Sequence, residues 1–123
     1  MSPPPSSTAV YVFGSNLAGR HSEAEALMAL REHGAIYGRA VGPQGRSYAI
    51  PVRDEQGKLL PIVIITRYVQ AFLRFAETHR ALSFEVTRIG CGRDAHRDEV
   101  IAPLFASAPK NCHLPPGWSR YLK

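Results

Sequence analysis

Two glycine-bearing segments hold most of the side chains suited to chemistry: Gly14-Ser15-Asn16-Leu17-Ala18-Gly19-Arg20-His21-Ser22, and Gly90-Cys91-Gly92-Arg93-Asp94 with the residues that follow to Arg97. Asn16 offers a donor and an acceptor on a short stem and can read sugar hydroxyls. An Asx turn or a helix cap uses the same groups, and spacing leaves both readings open. His21 can act as acid, base or donor, or simply stand exposed at a helix start. Asp94 and Glu99 can transfer protons, yet carboxylates at the start of a helix also serve as caps and answer its dipole. Glycines at Gly90 and Gly92 let the backbone approach a ligand, and amide N–H groups beside a helix start can hold a phosphate, with Arg93 as a charged donor. Glycine loops equally serve to turn the chain. No nucleophile paired with a base emerges, which favours binding over catalysis.

Strand and helix patterns decide where these segments stand. Ala9 to Phe13 is a run of strand formers, and the spacing predicts a buried strand ended by Gly14. Ser22 to His33 predicts a helix stopped by Gly34. Ala35 to Gly45, with Gly38, Gly42, Pro43 and Gly45, predicts a loop with at most short extended pieces. Ser47 to Val52 predicts a strand ended around Pro51, and Asp54 to Lys58 a polar turn. Ile65, Val69, Phe72, Leu73 and Ala76 place a helix between Pro61 and His79, although the β-branched Ile62-Val63-Ile64-Ile65 also suits a strand. Ser83 to Ile89 predicts a strand running into Gly90, and about Arg97 to Ala106 a helix. Tyr11, Phe13, Phe72, Phe75 and Phe84 are expected in the core, with Trp118 covering one edge. Alternating strands and helices imply an α/β layer structure, in which ligands bind beyond the carboxyl ends of strands, where both glycine segments would lie.

Composition narrows the classes of function. The chain has 123 residues, enough to bury roughly two-thirds of the surface its unfolded form exposes, so one domain needs neither disulfides nor a structural metal. Residues 1–8 are Pro/Ser-rich and predict a disordered leader, with the domain spanning 9–123. No apolar run reaches the ~18 residues of a membrane span, and the N-terminus lacks a secretory pattern, so no membrane partner and a cytoplasmic location are expected. Cys91 and Cys112 have no paired spacing and are expected as free thiols; His96 and His113 lie nearby without a compact zinc pattern, so neither metal nor cofactor is expected. A net charge of +5 suits a phosphate-bearing partner, but the charge is scattered and no basic run marks a nucleic-acid tail.

Val12-Phe13-Gly14-Ser15-Asn16-Leu17-Ala18-Gly19-Arg20-His21, Tyr48-Ala49-Ile50-Pro51, Phe84 to Gly92, Ile101-Ala102-Pro103-Leu104-Phe105, and Ala108-Pro109-Lys110-Asn111 with Leu114-Pro115 resemble segments of a group of small bacterial and phage-related proteins. That group in turn looks like a reduced macrodomain, the α/β fold that binds ADP-ribose. The resemblance implies a single three-layer domain with a mixed sheet flanked by helices, binding ADP-ribose or a related nucleotide. It makes Asn16 the ribose-proximal residue and Gly19, Arg20, His21 and Ser22 the first ligand loop, with Gly14 and Ser15 also binding ligand. Gly90 to Asp94 becomes the diphosphate loop, with the backbone of Gly90, Cys91, Gly92 and Arg93 holding the diphosphate. Hydrolysis of an ADP-ribosyl linkage would use a positioned water, with Asn16 orienting ribose and His21 or Asp94 moving protons. The chain departs from the pattern at Ser22-Glu23-Ala24-Glu25-Ala26 and at Arg93-Asp94-Ala95-His96-Arg97, where further glycines are usual. Larger residues restrict backbone approach there, and Glu23 and Glu25 repel phosphate if they face the site. Two other classes stay open: a noncatalytic scaffold that contacts a protein partner through a degenerate pocket, and a nucleic-acid binder resting on charge alone.

Overall fold

The computed structural model describes residues 9–22, 24–92 and 94–122; the leader expected over 1–8, and Glu23, Arg93 and Lys123, lie outside the described residues. Its sheet is built on β1 (Val10–Asn16), which pairs in parallel with β3 (Ser47–Arg53) on one side and β4 (Phe84–Val86) on the other. At the two edges, β2 (Gly42–Gln44) runs antiparallel to β3, and β5 (Cys112–His113) runs parallel to β4, giving the order β2-β3-β1-β4-β5. The helices are α1 (Ala24–Glu32), α2 (Ile62–Thr78) and the single turn α3 (Asp98–Ile101). This is an α/β domain with a mixed five-stranded sheet between helical layers.

Strand alternation sorts the core into two faces. Val12, Tyr48, Ile50, Val52, Phe84 and Val86 point to the face covered by α2, whose buried Ile65, Val69, Phe72 and Ala76 form one stripe at helical spacing. Phe72 is fully buried and meets Tyr48 and Phe84 edge-on at centroid distances of 5.0 and 5.4 Å. Burying such a side chain stabilises the fold by roughly 1.5–3 kcal/mol. Phe13 and Ala49 point to the other face, where α1 contributes only Ala26 and Ala29, so that helix lies close against the sheet. The helix choice for Ile62 to Ile65 follows from Ile65 being needed in the α2 stripe rather than in a sheet already flanked on both sides.

Several boundaries differ from those the sequence predicts. β1 does not end at Gly14 but continues to Asn16, because Gly14 and Ser15 pair with Ile50 and Pro51 of β3. Pro51 therefore does not end β3 either. It lies beyond the reach of β2, whose pairing stops at Ala49, so on that side the missing N–H interrupts no ladder. β4 is shorter than predicted because the chain turns sharply after it, Ile89 donating its N–H to Thr87 O at 2.7 Å. The predicted helix over 97–106 is divided into α3 and a 3-10 turn at Ala102–Phe105, where Pro103 supplies no N–H. Trp118 is fully buried against Phe105 rather than covering an edge, and Tyr11 is only half-buried, stacked on His33 at 4.2 Å. Asn111 joins β5 to the end of α2: its Nδ2 lies within 3.2 Å of Ala76 O, His79 O and Leu82 O, three carbonyls at and beyond the helix C-terminus.

Candidate functional site

β1 is followed by α1 on one face of the sheet, and its neighbour β3 by α2 on the other, so the connections leave these two adjacent parallel strands in opposite directions. Such a switch point opens a crevice at the carboxyl ends of the strands. The two glycine segments meet there. A Cβ built on Gly14 would lie 3.6 Å from Gly90 N and 3.2 Å from Val52 Cγ2. The resulting cleft, of about 180 Å³, has Gly14, Ser15 and Asn16 from β1, Val52 and Arg53 from β3, and Arg88 to Cys91 behind β4. Arg20 and the first turn of α1, with Ala24, Glu25 and Ala26, close the remaining side.

The two loops beside the cleft are tied to one another. Arg53 donates to Gly57 O at 3.0 Å and to Asp94 O at 2.8 Å, so its charge faces carbonyl oxygens and no carboxylate among the described residues. His96 Nε2 lies 2.9 Å from Leu60 O, a second tie between the same loops. Arg88 holds Asp98 through two bonds of 2.7 and 3.1 Å. The Arg88 bonds keep the Asp98 carboxyl below the usual carboxylate range. Arg88 also borders two shallower hollows. One is a groove along β4 to Pro116, and the other a depression by Glu99 and Tyr121.

The candidate residues separate in space. Asn16 lines the cleft, with Oδ1 accepting from Arg20 N–H at 3.0 Å and Nδ2 donating to Arg20 O at 3.1 Å, which closes the loop on itself. Each end of the amide keeps one further bonding capacity. Ser15 Oγ is turned to Ala40 O at 2.6 Å. His21 is fully buried and outside the cleft lining, contrary to the exposed position its sequence suggests. Its Nε2 lies 3.0 Å from Arg39 O and 3.1 Å from Gln44 Oε1, so it pins the loop between α1 and β2. Gly19 packs against Gly38 in that same loop. Ser22 and Asp94 are exposed and neither lines the cleft. Gly90 and Cys91 do, whereas Gly92 gives its N–H to His96 O at 3.3 Å and borders the depression instead. Arg93 lies outside the described residues.

Arg53 and Arg88 are the site residues that the sequence did not single out. Their signal was available in the rule that places ligands beyond strand ends: Arg53 closes β3, beside the central β1, and Arg88 stands two residues before Gly90. Among the described residues, Glu25 is the one carboxylate in the cleft lining. Among the described residues, no group of three or more His, Cys, Asp or Glu side chains is placed to hold a metal ion, and no helix is long and apolar enough to cross a membrane.

Among the described residues, two other than glycine have left-handed backbone, Ala24 at φ +45° and Asp94 at φ +58°, and they fall in the two segments where further glycines were expected. The fold therefore keeps a glycine-type conformation at positions that carry other side chains. Ala bears the full Cβ penalty of ~1–2 kcal/mol, whereas Asp tolerates this region better. Ala24→Gly is expected to raise the thermal midpoint by a few degrees, since relief of that strain exceeds the ~0.4–1 kcal/mol entropic cost of glycine. A fall in the midpoint would show that Ala24 carries no strain.

Cys91 and Cys112 are both unbridged. Burial, followed by a hydrogen bond to Asp98 and its charge, pushes the Cys91 thiol up to about 12, and burial pushes Cys112 up to about 11. Tyr11 is pushed up to about 12 by burial and then by Glu25 and Glu85, and burial also raises Tyr48. All four groups hold their protons more tightly folded than unfolded. The native state therefore binds more protons once the pH passes about 9, the ordinary thiol value, and stability falls as pH rises from there toward 12. Calorimetric midpoints measured from pH 7 to 11 should be steady at first and then fall. A midpoint unchanged to pH 11 would contradict the burial of these groups. Comparison of the chain with protein-family models, with curated proteins and with solved structures finds no match in any of the three.

Proposed function

We propose that this domain binds ADP-ribose or a related nucleotide at the switch-point cleft. The observation that carries the reading is the convergence of Arg20, Arg53 and Arg88 on a cleft floored by glycine backbone at Gly14 and Gly90. Arginines suit phosphate oxygens because the guanidinium fork can donate two parallel bonds, each charge-assisted contact being worth about 1.5–3 kcal/mol. Gly90 N–H donates to no carbonyl among the described residues and adjoins Gly14. Asn16 keeps one donor and one acceptor for a sugar. Binding is favoured over hydrolysis, because His21 and Asp94, the expected proton carriers, stand away from the cleft lining.

Calorimetric titration with ADP-ribose, AMP and a short oligonucleotide, each at two salt concentrations, tests the reading. Saturable binding of ADP-ribose or AMP that weakens in Arg53→Met is expected. Oligonucleotide binding alone, with a steep salt dependence, would turn the reading toward nucleic acid. No binding of any of the three would leave the protein-interaction scaffold.

A further inference from the structure

We infer that the cleft recognises a pentose phosphate as a unit, one phosphate and one sugar, and leaves the rest of any larger nucleotide outside its walls. This rests on the nucleotide reading above and narrows its ligand class. The cleft measures about 180 Å³. Sites that enclose a drug-sized ligand run from ~300 to ~1,000 Å³, so a complete dinucleotide exceeds it while a phosphorylated sugar is of the right order.

Its walls are also poorly placed to widen. Arg53 bridges Gly57 O and Asp94 O, His96 bridges to Leu60 O, and the Asn16 amide is clasped to the Arg20 backbone. The charges match the same ligand. Arg88 is already paired with Asp98 and Arg53 already bonds two carbonyls, so with Arg20 the cleft answers one phosphate rather than two, whereas Glu25 on the α1 side suits sugar hydroxyls as an acceptor and repels a second phosphate. Toward the groove along β4, the cleft is bounded by Arg88, which Asp98 holds in place.

Calorimetric titration of the full chain with inorganic phosphate, ribose 5-phosphate and ADP-ribose tests this. Ribose 5-phosphate is expected to bind within about threefold of ADP-ribose, and inorganic phosphate at least about tenfold more weakly than either. ADP-ribose binding more than about thirtyfold tighter than ribose 5-phosphate overturns the inference while leaving the nucleotide reading intact. Equal binding of ribose 5-phosphate and inorganic phosphate overturns it in the other direction, leaving only an anion site. Absence of binding by all three overturns the inference together with the reading beneath it. A variant adds a test of the walls. His96→Ala releases one tie without altering the cleft lining and should shift the affinity ratio toward ADP-ribose by at least about threefold; an unchanged ratio contradicts the role assigned to that wall.

Discussion

Gly19→Ala is expected to lower the thermal midpoint by roughly 10 °C, the largest stability effect of any single methyl group in the β1–α1 loop. Gly19 sits at φ +72°, and a Cβ there would come within 2.4 Å of the Gly38 carbonyl carbon and 2.6 Å of its oxygen. The obstacle is backbone, held in turn by Gly38 N–H donating to Gly19 O at 2.8 Å, so it cannot swing aside like the tip of a side chain. The left-handed conformation costs alanine ~1–2 kcal/mol and the forced separation a further ~1–3. Gly38→Ala isolates the first of these costs. That residue also has positive φ, at +95°, but its Cβ would meet nothing within 4 Å. Equal midpoints for the two variants would show that the close approach of the two loops contributes nothing.

The largest expected effect on binding belongs to Gly14→Val. Gly14 is not among the glycines with positive φ and lies in the central strand, so a β-branched residue suits its backbone. Its Cβ would stand 3.2 Å from Val52 Cγ2 and 3.6 Å from Gly90 N, at the floor of the cleft. Valine there occupies space between the two glycine segments. Affinity for ADP-ribose and for ribose 5-phosphate should fall by at least about a hundredfold, equivalent to ~2.7 kcal/mol. Overpacking against Val52 should cost ~1–3 kcal/mol of stability, which a thermal midpoint measures separately. Gly14→Ala should be intermediate in both. Undiminished affinity in a folded Gly14→Val protein would place the ligand somewhere other than this cleft.

Much of the architecture is legible along the chain because it depends on local periodicity. The α2 stripe at Ile65, Val69, Phe72 and Ala76 appears in the structure as predicted, and the helix around it ends within one residue of its predicted bounds. The strand-forming run at the start of the domain appears in the structure as β1, although the strand runs past Gly14 to Asn16. β2 and β5 were legible only as short extended or irregular pieces, not as members of the sheet. They have three and two residues, and each becomes a strand only because β3 or β4 offers it an edge. The extension of β1 through Asn16 has the same cause, since Gly14 and Ser15 are strand residues only beside Ile50 and Pro51.

The site divides along the same line. Asn16, Gly14 and Gly90 all line the cleft. Residue type and order along the chain marked them only as candidates, because glycine after a strand serves equally to turn the chain. They could not separate Asn16, at the cleft, from His21, five residues later and wholly buried in a polar knot with Gln44 and Arg39. That distinction depends on the loop at Gly38, which folds back onto Gly19 from a distant part of the chain. Nor could they gather Arg20, Arg53 and Arg88, each ordinary in its own segment. Their charges act together only where three parallel strands end side by side. The sequence alone determined the α/β layering and the two glycine segments, since both follow from short-range pattern and backbone freedom. Tertiary structure alone decided which side chains share one cleft, since electrostatic and steric effects follow distance in space rather than separation along the chain.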